Sequence, residues 1–312
     1  MTFDVPILFL IFNRPDTTAR VFEKIREVKP RQLFIAADGP RIEKEGEEEK
    51  CKAVRDLVLN NIDWPCEVKT LFRDHNLGCG KAVSGGITWF FENVEEGIIL
   101  EDDTLPNKSF FRFCKELLDR YRNVSQVKII CGGNYVNRIQ TDGSTYYFTA
   151  FPHIWGWASW RRTWEEYDFT LETMDEMEAL KKLKKYFKNK KVIESWLSYF
   201  RLVKEKKINS WDFQLGFSIF NHSGFNAVTN FNMISNIGFG DNATHTVSGD
   251  TGLANNPVTE LKEIIHPRNI MIDDYQDRHT EKRVSNVPVT TQIRSILKNI
   301  KKAIKARSFL WL

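Results

Sequence analysis

"GIILEDDTLP", residues 97–106, is the stretch on which the reading of the fold turns. A glycine and three apolar residues run straight into Glu101, Asp102 and Asp103, and Pro106 closes the segment. The apolar run reads as a buried strand. Three adjacent carboxylates repel one another. The triplet is therefore either a solvated strand end or the seat of something positive.

Working outward, the same kind of run recurs at 5–12 (VPILFLIF), 33–37 (LFIAA), 67–72 and 127–131 (VKIIC). Between the runs lie helical patterns. "PDTTARVFEKIREV" starts with Pro15 and Asp16 in its first turn and repeats Val21, Ile25 and Val28 at helical spacing. "EEEKCKAVRDLVLNNI" and "GKAVSGGITWFFENV" are comparable, and "SFFRFCKELLDRY" sets Phe110, Cys114, Leu117 and Tyr121 on one face. Strands alternating with helices predict an α/β chain: a mostly parallel, Rossmann-like sheet with helices on both faces. In such a sheet ligands bind beyond the strands' carboxyl ends. The strands run out into polar residues: Asn13-Arg14, then Asp38-Gly39, then the acidic triplet.

From about residue 145 the pattern changes. Strand-like "STYYFTAF" precedes an aromatic cluster, "HIWGWASWRRTW". A Lys-rich helical stretch follows at about 171–207, then a segment almost free of charge up to Gly240. This half is expected to pack as a lobe against the first. Residues 246–288 are rich in Asn, Pro and Asp and read as an irregular wrapping segment or linker. There is no internal repeat.

Composition excludes several classes. The 312 residues, 42% of them hydrophobic, suffice for one large domain or two moderate ones. Net charge is +4, yet residues 290–312 alone carry Arg294, Lys298, Lys301, Lys302, Lys305 and Arg307 with no acid. Without that tail the chain is slightly acidic, so no nucleic-acid partner is expected. Five cysteines, none in a C-x-x-C pair, argue against a zinc site or disulfide framework and for a reducing, cytoplasmic compartment. The opening "MTFDVPILFLIFN" lacks the features of a signal peptide, and no run is apolar and long enough to span a membrane.

The motifs carry more. "GCGKAV" is neither G-x-G-x-x-G nor a Walker A loop, since Val83 and Ala82 stand at the deciding positions. Gly78 and Gly80 before a helix can still offer N–H groups to an anion beside Lys81; a plain strand-to-helix turn is the alternative. Adjacent carboxylates at the edge of a parallel sheet suit a hard divalent cation, Mg²⁺ or Mn²⁺, that fills its shell with waters and substrate phosphates. Asp212, in "NSWDFQLGFSIFN", is the only charged residue between 209 and 240. Trp211 and Phe213 flank it, an environment expected to desolvate the carboxylate and raise its pKa towards that of a useful base. A helix cap or structural acceptor explains it equally well. The tryptophans at 155, 157, 160 and 164 read mostly as core.

Together, "PILFLIFNRPDTTARVFEKI", "ADGPR", "NLGCGKAV", "IILEDDTLP" and "GWASWRRTW" resemble the nucleotide-diphospho-sugar transferases of GT-A fold. The likeness is to bacterial polysaccharide glycosyltransferases distantly similar to N-acetylglucosaminyltransferase I. It covers about residues 4–245, and the strand-EDD-x-x-P segment followed by Phe110-Phe111 is its most specific part. It implies a nucleotide-sugar-binding half (1–105) and an acceptor-binding and catalytic half (106–245); beyond the likeness, composition and spacing give an irregular wrapping segment or linker (246–289) and a basic amphipathic helix (290–312). It also implies roles. Arg14 contacts the nucleotide, and Asp38 accepts from uracil or ribose. Asn76, Gly78 and Lys81 line the nucleotide and diphosphate. Asp103, with Glu101, holds Mn²⁺ or Mg²⁺, and Asp102 faces the ribose or donor sugar. "SWDF" resembles the element carrying an inverting enzyme's base, Asp212. "NIGFGDNATHT" resembles a loop that folds over the diphosphate, through His245.

The function so implied is a metal-dependent, inverting glycosyltransferase acting from a UDP-sugar on a cell-surface glycan or lipid-linked acceptor. Two alternatives stay open: a membrane-docked nucleotide-sugar-binding protein without transfer, and a sugar-phosphate nucleotidyltransferase. The latter calls for a glycine-rich loop after the first strand, where "FNRPDTTAR" has no glycine. The tail sets Ile293, Ile296, Leu297, Ile300 and Ile304 on one face and lysines around the other, then ends in Phe309, Leu310, Trp311 and Leu312. It reads as a peripheral contact with the inner face of the membrane, or as a helix docked on the lobes.

Overall fold

In the computed structural model, which describes residues 2–134, 142–239 and 255–285, every residue of β1 (Ile7–Ile11) is buried. Its side chains alternate: Ile7, Phe9 and Ile11 join one core layer, Leu8 and Leu10 the other. That is the signature of a central strand covered on both faces. Three more strands run parallel to it: β2 (Gln32–Ala37), β3 (Glu67–Phe72) and β4 (Glu96–Glu101). The helices between them are α1 (Pro15–Val28), α2 (Glu47–Asn60) and α3 (Cys79–Asn93). Pro15 starts α1 where its missing N–H costs nothing, and Lys29, with φ 52°, ends it.

The chain continues through β5 (Thr104–Pro106), α4 (Lys108–Tyr121), β6 (Val127–Cys131), β7 (Tyr146–Thr149), β8 (Trp157–Trp160) and the single turn α5 (Arg161–Trp164). Then come α6 (Glu176–Tyr186), α7 (Lys190–Lys204), α8 (Asp212–Asn221), β9 (Phe225–Thr229), β10 (Ile234–Asn236) and α9 (Asp274–Ser285). The main sheet has the order β3-β2-β1-β4-β8-β6-β9-β7. Only β8 and β7 run against the rest, so the sheet is mostly parallel, as expected from the sequence. A second, two-stranded sheet pairs β10 with β5.

One core layer packs α1 and α4 on the sheet through Val21, Ile25, Phe110 and Leu117. The other packs α3, α6, α7 and α8 through Ile87, Phe90, Leu183, Phe200 and Leu215. Helices thus cover both faces. Trp157, Trp160 and Trp164 are core, as their density suggested, while Trp155 is half-buried and packs edge-on against Phe239.

The Lys-rich stretch is helical, as expected, and forms two helices, α6 and α7, separated at Phe187–Asn189. There Glu281 accepts hydrogen bonds from the backbone N–H groups of Lys188 (2.9 Å) and Asn189 (3.0 Å). The segment expected to be irregular contains α9, anchored where buried Asp277 accepts from the Ala150 N–H at 2.9 Å and from the Thr149 hydroxyl.

Candidate active site

The strand order turns on β1: β2 lies on one side and β4 on the other. Chain segments leaving β1 and β4 therefore meet beyond their carboxyl ends, the position where ligands bind in open α/β sheets. Arg14, immediately before α1, reaches from one to the other. Its Nη2 meets Asp102 Oδ1 and its Nη1 lies 3.0 Å from Asp103 Oδ2. The positive group that the triplet called for is thus, in the first instance, this guanidinium. Burial works against its charge, but the carboxylates of Asp102 and Asp103 more than offset that and hold it charged.

The three acidic residues are not equivalent. Asp102 is buried and also accepts from the Phe12 N–H at 3.3 Å. Burial pushes its pKa up to about 6, with Arg14 pulling the other way. Asp103 keeps an open side, and its backbone carbonyl accepts from Ile237 N–H at 2.9 Å. Glu101 ends β4 opposite Leu10 and follows Ile99 onto the face covered by α3. Burial, then the charges of Asp103 and Asp102, push it up to about 8, and Asp212 adds to the shift.

Asp212, more than a hundred residues from the triplet in sequence, thus lies within electrostatic reach of Glu101. Asp212 also raises the Cys79 thiol and the Tyr167 and Tyr199 hydroxyls, in each case after burial. It opens α8 as the first helical residue, and its Oδ1 accepts from Ser210 Oγ. Neighbouring groups hold the segment before it. Tyr167 Oη donates to the Trp211 carbonyl at 3.0 Å, and Gln214 Nε2 donates to the Ser210 carbonyl at 2.6 Å. Asn209 Oδ1 accepts from the Gly80 N–H at 2.9 Å.

Asn209 also corrects an expectation. The glycine turn before α3 is not an open anion cradle. Gly80's N–H is taken by Asn209, and those of Leu77 and Gly78 by Asp38 at 2.9 and 3.1 Å. Gly78, with φ 78°, adopts the left-handed backbone, and a side chain there would strike Asn209. Asp38 accepts in addition from Gly39 N–H and from Asn76 Nδ2. Asp38, Asn76 and Gly78 thus form one internal network that ties the end of β2 to the start of α3. Lys81 is exposed and lines an open groove along α3. His245 and residues 290–312 lie outside the described residues.

Sequence reasoning missed Asn209, Ser210 and Gly238. A Cβ on Gly238 would collide with Asp103 Oδ2 and approach Arg14 Nη1 to 2.8 Å, so this backbone lies directly over the ion pair. The only sequence signal was its position in "NIGFGDNATHT".

The oxygen donors of the triplet are of the kind a hard divalent cation takes. A cation would offset both the burial and the neighbouring negative charges that push Glu101 upward. Asp103, open on one side, and Glu101 are the residues that would hold it. Among the described residues no group of three or more His, Cys, Asp or Glu converges on a metal position. Any cation would therefore depend on ligand phosphates or water for the rest of its shell.

The chain matches no family model, and it matches none of the curated proteins. Solved structures do resemble it. HddC from Yersinia pseudotuberculosis is 11% identical with a TM-score of 0.34, covering 52% of this chain and 80% of its own. A UTP-bound UGPase from Acinetobacter baumannii is 9% identical with a TM-score of 0.36, covering 72% and 85%. Mouse xyloside xylosyltransferase 1 is 11% identical with a TM-score of 0.30, covering 69% and 81%. At such TM-scores these likenesses carry no argument about function.

Proposed function

We propose that this chain is a metal-dependent, inverting glycosyltransferase that moves a sugar from a nucleotide-diphosphate donor, with UDP favoured, to a cell-surface glycan or lipid-linked acceptor. The observation that carries the reading is the convergence of Arg14, the acidic triplet and Asp212 at one carboxyl edge of the sheet, at the point where strand order reverses.

Asp103 and Glu101 would hold Mn²⁺ or Mg²⁺, whose chemistry is to neutralise the departing diphosphate. Arg14 presents a fixed cation at the same edge for the nucleotide. Asp102, engaged by Arg14 and the Phe12 N–H, serves first to orient that guanidinium. Asp38, Asn76 and Gly78 act by shaping the loops that flank the nucleotide. Asp212 takes the proton of an acceptor hydroxyl as that oxygen bonds to the anomeric carbon. The bond from that carbon to the diphosphate oxygen breaks on the opposite side, and the leaving group carries away the electron pair. One displacement of this kind inverts the anomeric centre.

The test is a screen of nucleotide sugars with Mn²⁺, scored for hydrolysis or transfer, with anomeric NMR of any product. An inverted sugar supports the reading. Binding without turnover favours a nucleotide-sugar-binding protein. Release of pyrophosphate from a nucleoside triphosphate and a sugar phosphate favours a nucleotidyltransferase. Either result overturns the transferase.

A further inference from the structure

A recess lined by neither Arg14 nor the acidic triplet runs along the outer face of α3. It is an open groove of about 490 Å³, and Lys81, Gly85, Trp89 and Glu92 come to it from one face of the helix. Tyr167 and Phe169 form the opposite wall. Gly85 keeps the floor low: a Cβ there would project towards Arg73 Nη2, 2.8 Å away.

The walls are held in place. Trp89 packs edge-on against Phe34, with ring centres 5.3 Å apart. Tyr167 stacks on Trp164 at 4.1 Å and spends its hydroxyl on the Trp211 carbonyl. The groove thus presents fixed aromatic surfaces, with Lys81 and Glu92 at its rim and the Arg73 guanidinium beside its floor at Gly85. Aromatic walls with a few polar groups suit a ligand whose faces are C–H and whose edges are hydroxyl, which is the chemistry of a neutral sugar chain. From Lys81 to Glu92 the helix rises roughly 16 Å, longer than a single sugar ring.

One end of the groove adjoins the candidate base. Tyr167 holds the residue before Asp212, and Lys81 follows Gly80, which Asn209 binds. We infer that the α3 groove binds a neutral oligosaccharide, holding the non-reacting sugars of the acceptor while its terminal hydroxyl lies at Asp212. This rests on the transferase reading above and adds to it the acceptor's chemistry and path.

The full chain is titrated by calorimetry and saturation-transfer NMR with maltotetraose, cellotetraose and N-acetylchitotetraose. The variants are Trp89→Ala, which removes a wall, and Gly85→Gln, which fills the floor with a good helix former. The expected result is saturable binding of at least one tetrasaccharide, weakened about tenfold or more in both variants, with UDP binding in Mn²⁺ unchanged. If Trp89→Ala does not fold, Gly85→Gln decides alone. The inference is overturned if none of the three binds saturably, or if binding is indifferent to the filled floor. Donor turnover is scored separately, so a groove that binds glycan in a chain that turns over no donor would sink the transferase reading and leave the sugar-binding groove standing. Donor turnover with no glycan bound would do the reverse.

Discussion

Arg14 and the acidic triplet show how a charged edge can be stable before any ligand arrives. Removing the guanidinium leaves buried Asp102 beside Asp103 with its ion-pair partner gone and only the Phe12 N–H bond remaining, and breaking a buried pair in this way ordinarily costs about 3–5 kcal/mol. Arg14→Met is therefore expected to lower stability by an amount of that order, read as a shift in the urea midpoint without a change in slope. A loss below about 1 kcal/mol would mean the pair behaves as an ordinary surface ion pair. Asp212 is a different case, because its value lies in chemistry. Asp212→Asn keeps the shape and the acceptor for Ser210 but loses basicity, so kcat should fall roughly a hundredfold or more with a smaller change in donor affinity. Near-normal turnover in that variant would assign the proton transfer to another group.

At the scale of elements, the C-terminal segment works as a set of carboxylate staples. Glu260 accepts from the N–H groups of Lys108 and Ser109 at the start of α4, Glu281 from those just ahead of α7, and Asp277 from the end of β7. Asp277 brings a pH dependence with it. Burial pushes its pKa from the ordinary 3.8 up to about 7, against the pull of its bonds to Thr149 and Ala150. A carboxyl whose folded pKa is raised binds its proton more tightly in the folded chain. Its contribution to stability is complete below 3.8 and is lost as pH rises through 7. Asp277→Asn should flatten the fall in Tm across that window, and an unchanged profile would show that the carboxylate is ionised in the fold at no cost. This stapling also explains what the sequence hid. At the break between α6 and α7 the local mark is Asn189, whose side chain caps α7 by accepting from the Lys191 N–H at 3.0 Å, while the bonds from Lys188 and Asn189 to Glu281 join residues more than ninety positions apart and leave no local sign.

At the scale of the whole molecule, the parallel half was legible and the antiparallel insertion was not. β1 to β4 and their helices announce themselves by period, because strands covered on both faces and helices with one apolar stripe leave local marks. The insertion of β8 between β4 and β6 leaves none, since strand pairing is decided by partners distant in sequence. The site divides the same way. Asp103 and Asp212 were visible as carboxylates out of keeping with their surroundings. That Arg14 would be the triplet's partner, and that Asp38 would spend its oxygens on the α3 turn, is decided only by three-dimensional proximity.

No described helix is long and apolar enough to cross a membrane. The basic, apolar-faced tail at 290–312 remains a proposed surface contact, and deleting it should release the chain from vesicles containing anionic lipid while leaving donor hydrolysis intact. Retention on the vesicles after deletion would move the contact elsewhere. The most direct test of the account is calorimetric titration of UDP into the chain with Mn²⁺, with EDTA, and into Asp103→Asn with Mn²⁺. The account predicts saturable binding in the first case, weakened about tenfold or more in the other two. Equal affinity in all three, or no binding by the folded wild-type chain, would contradict it.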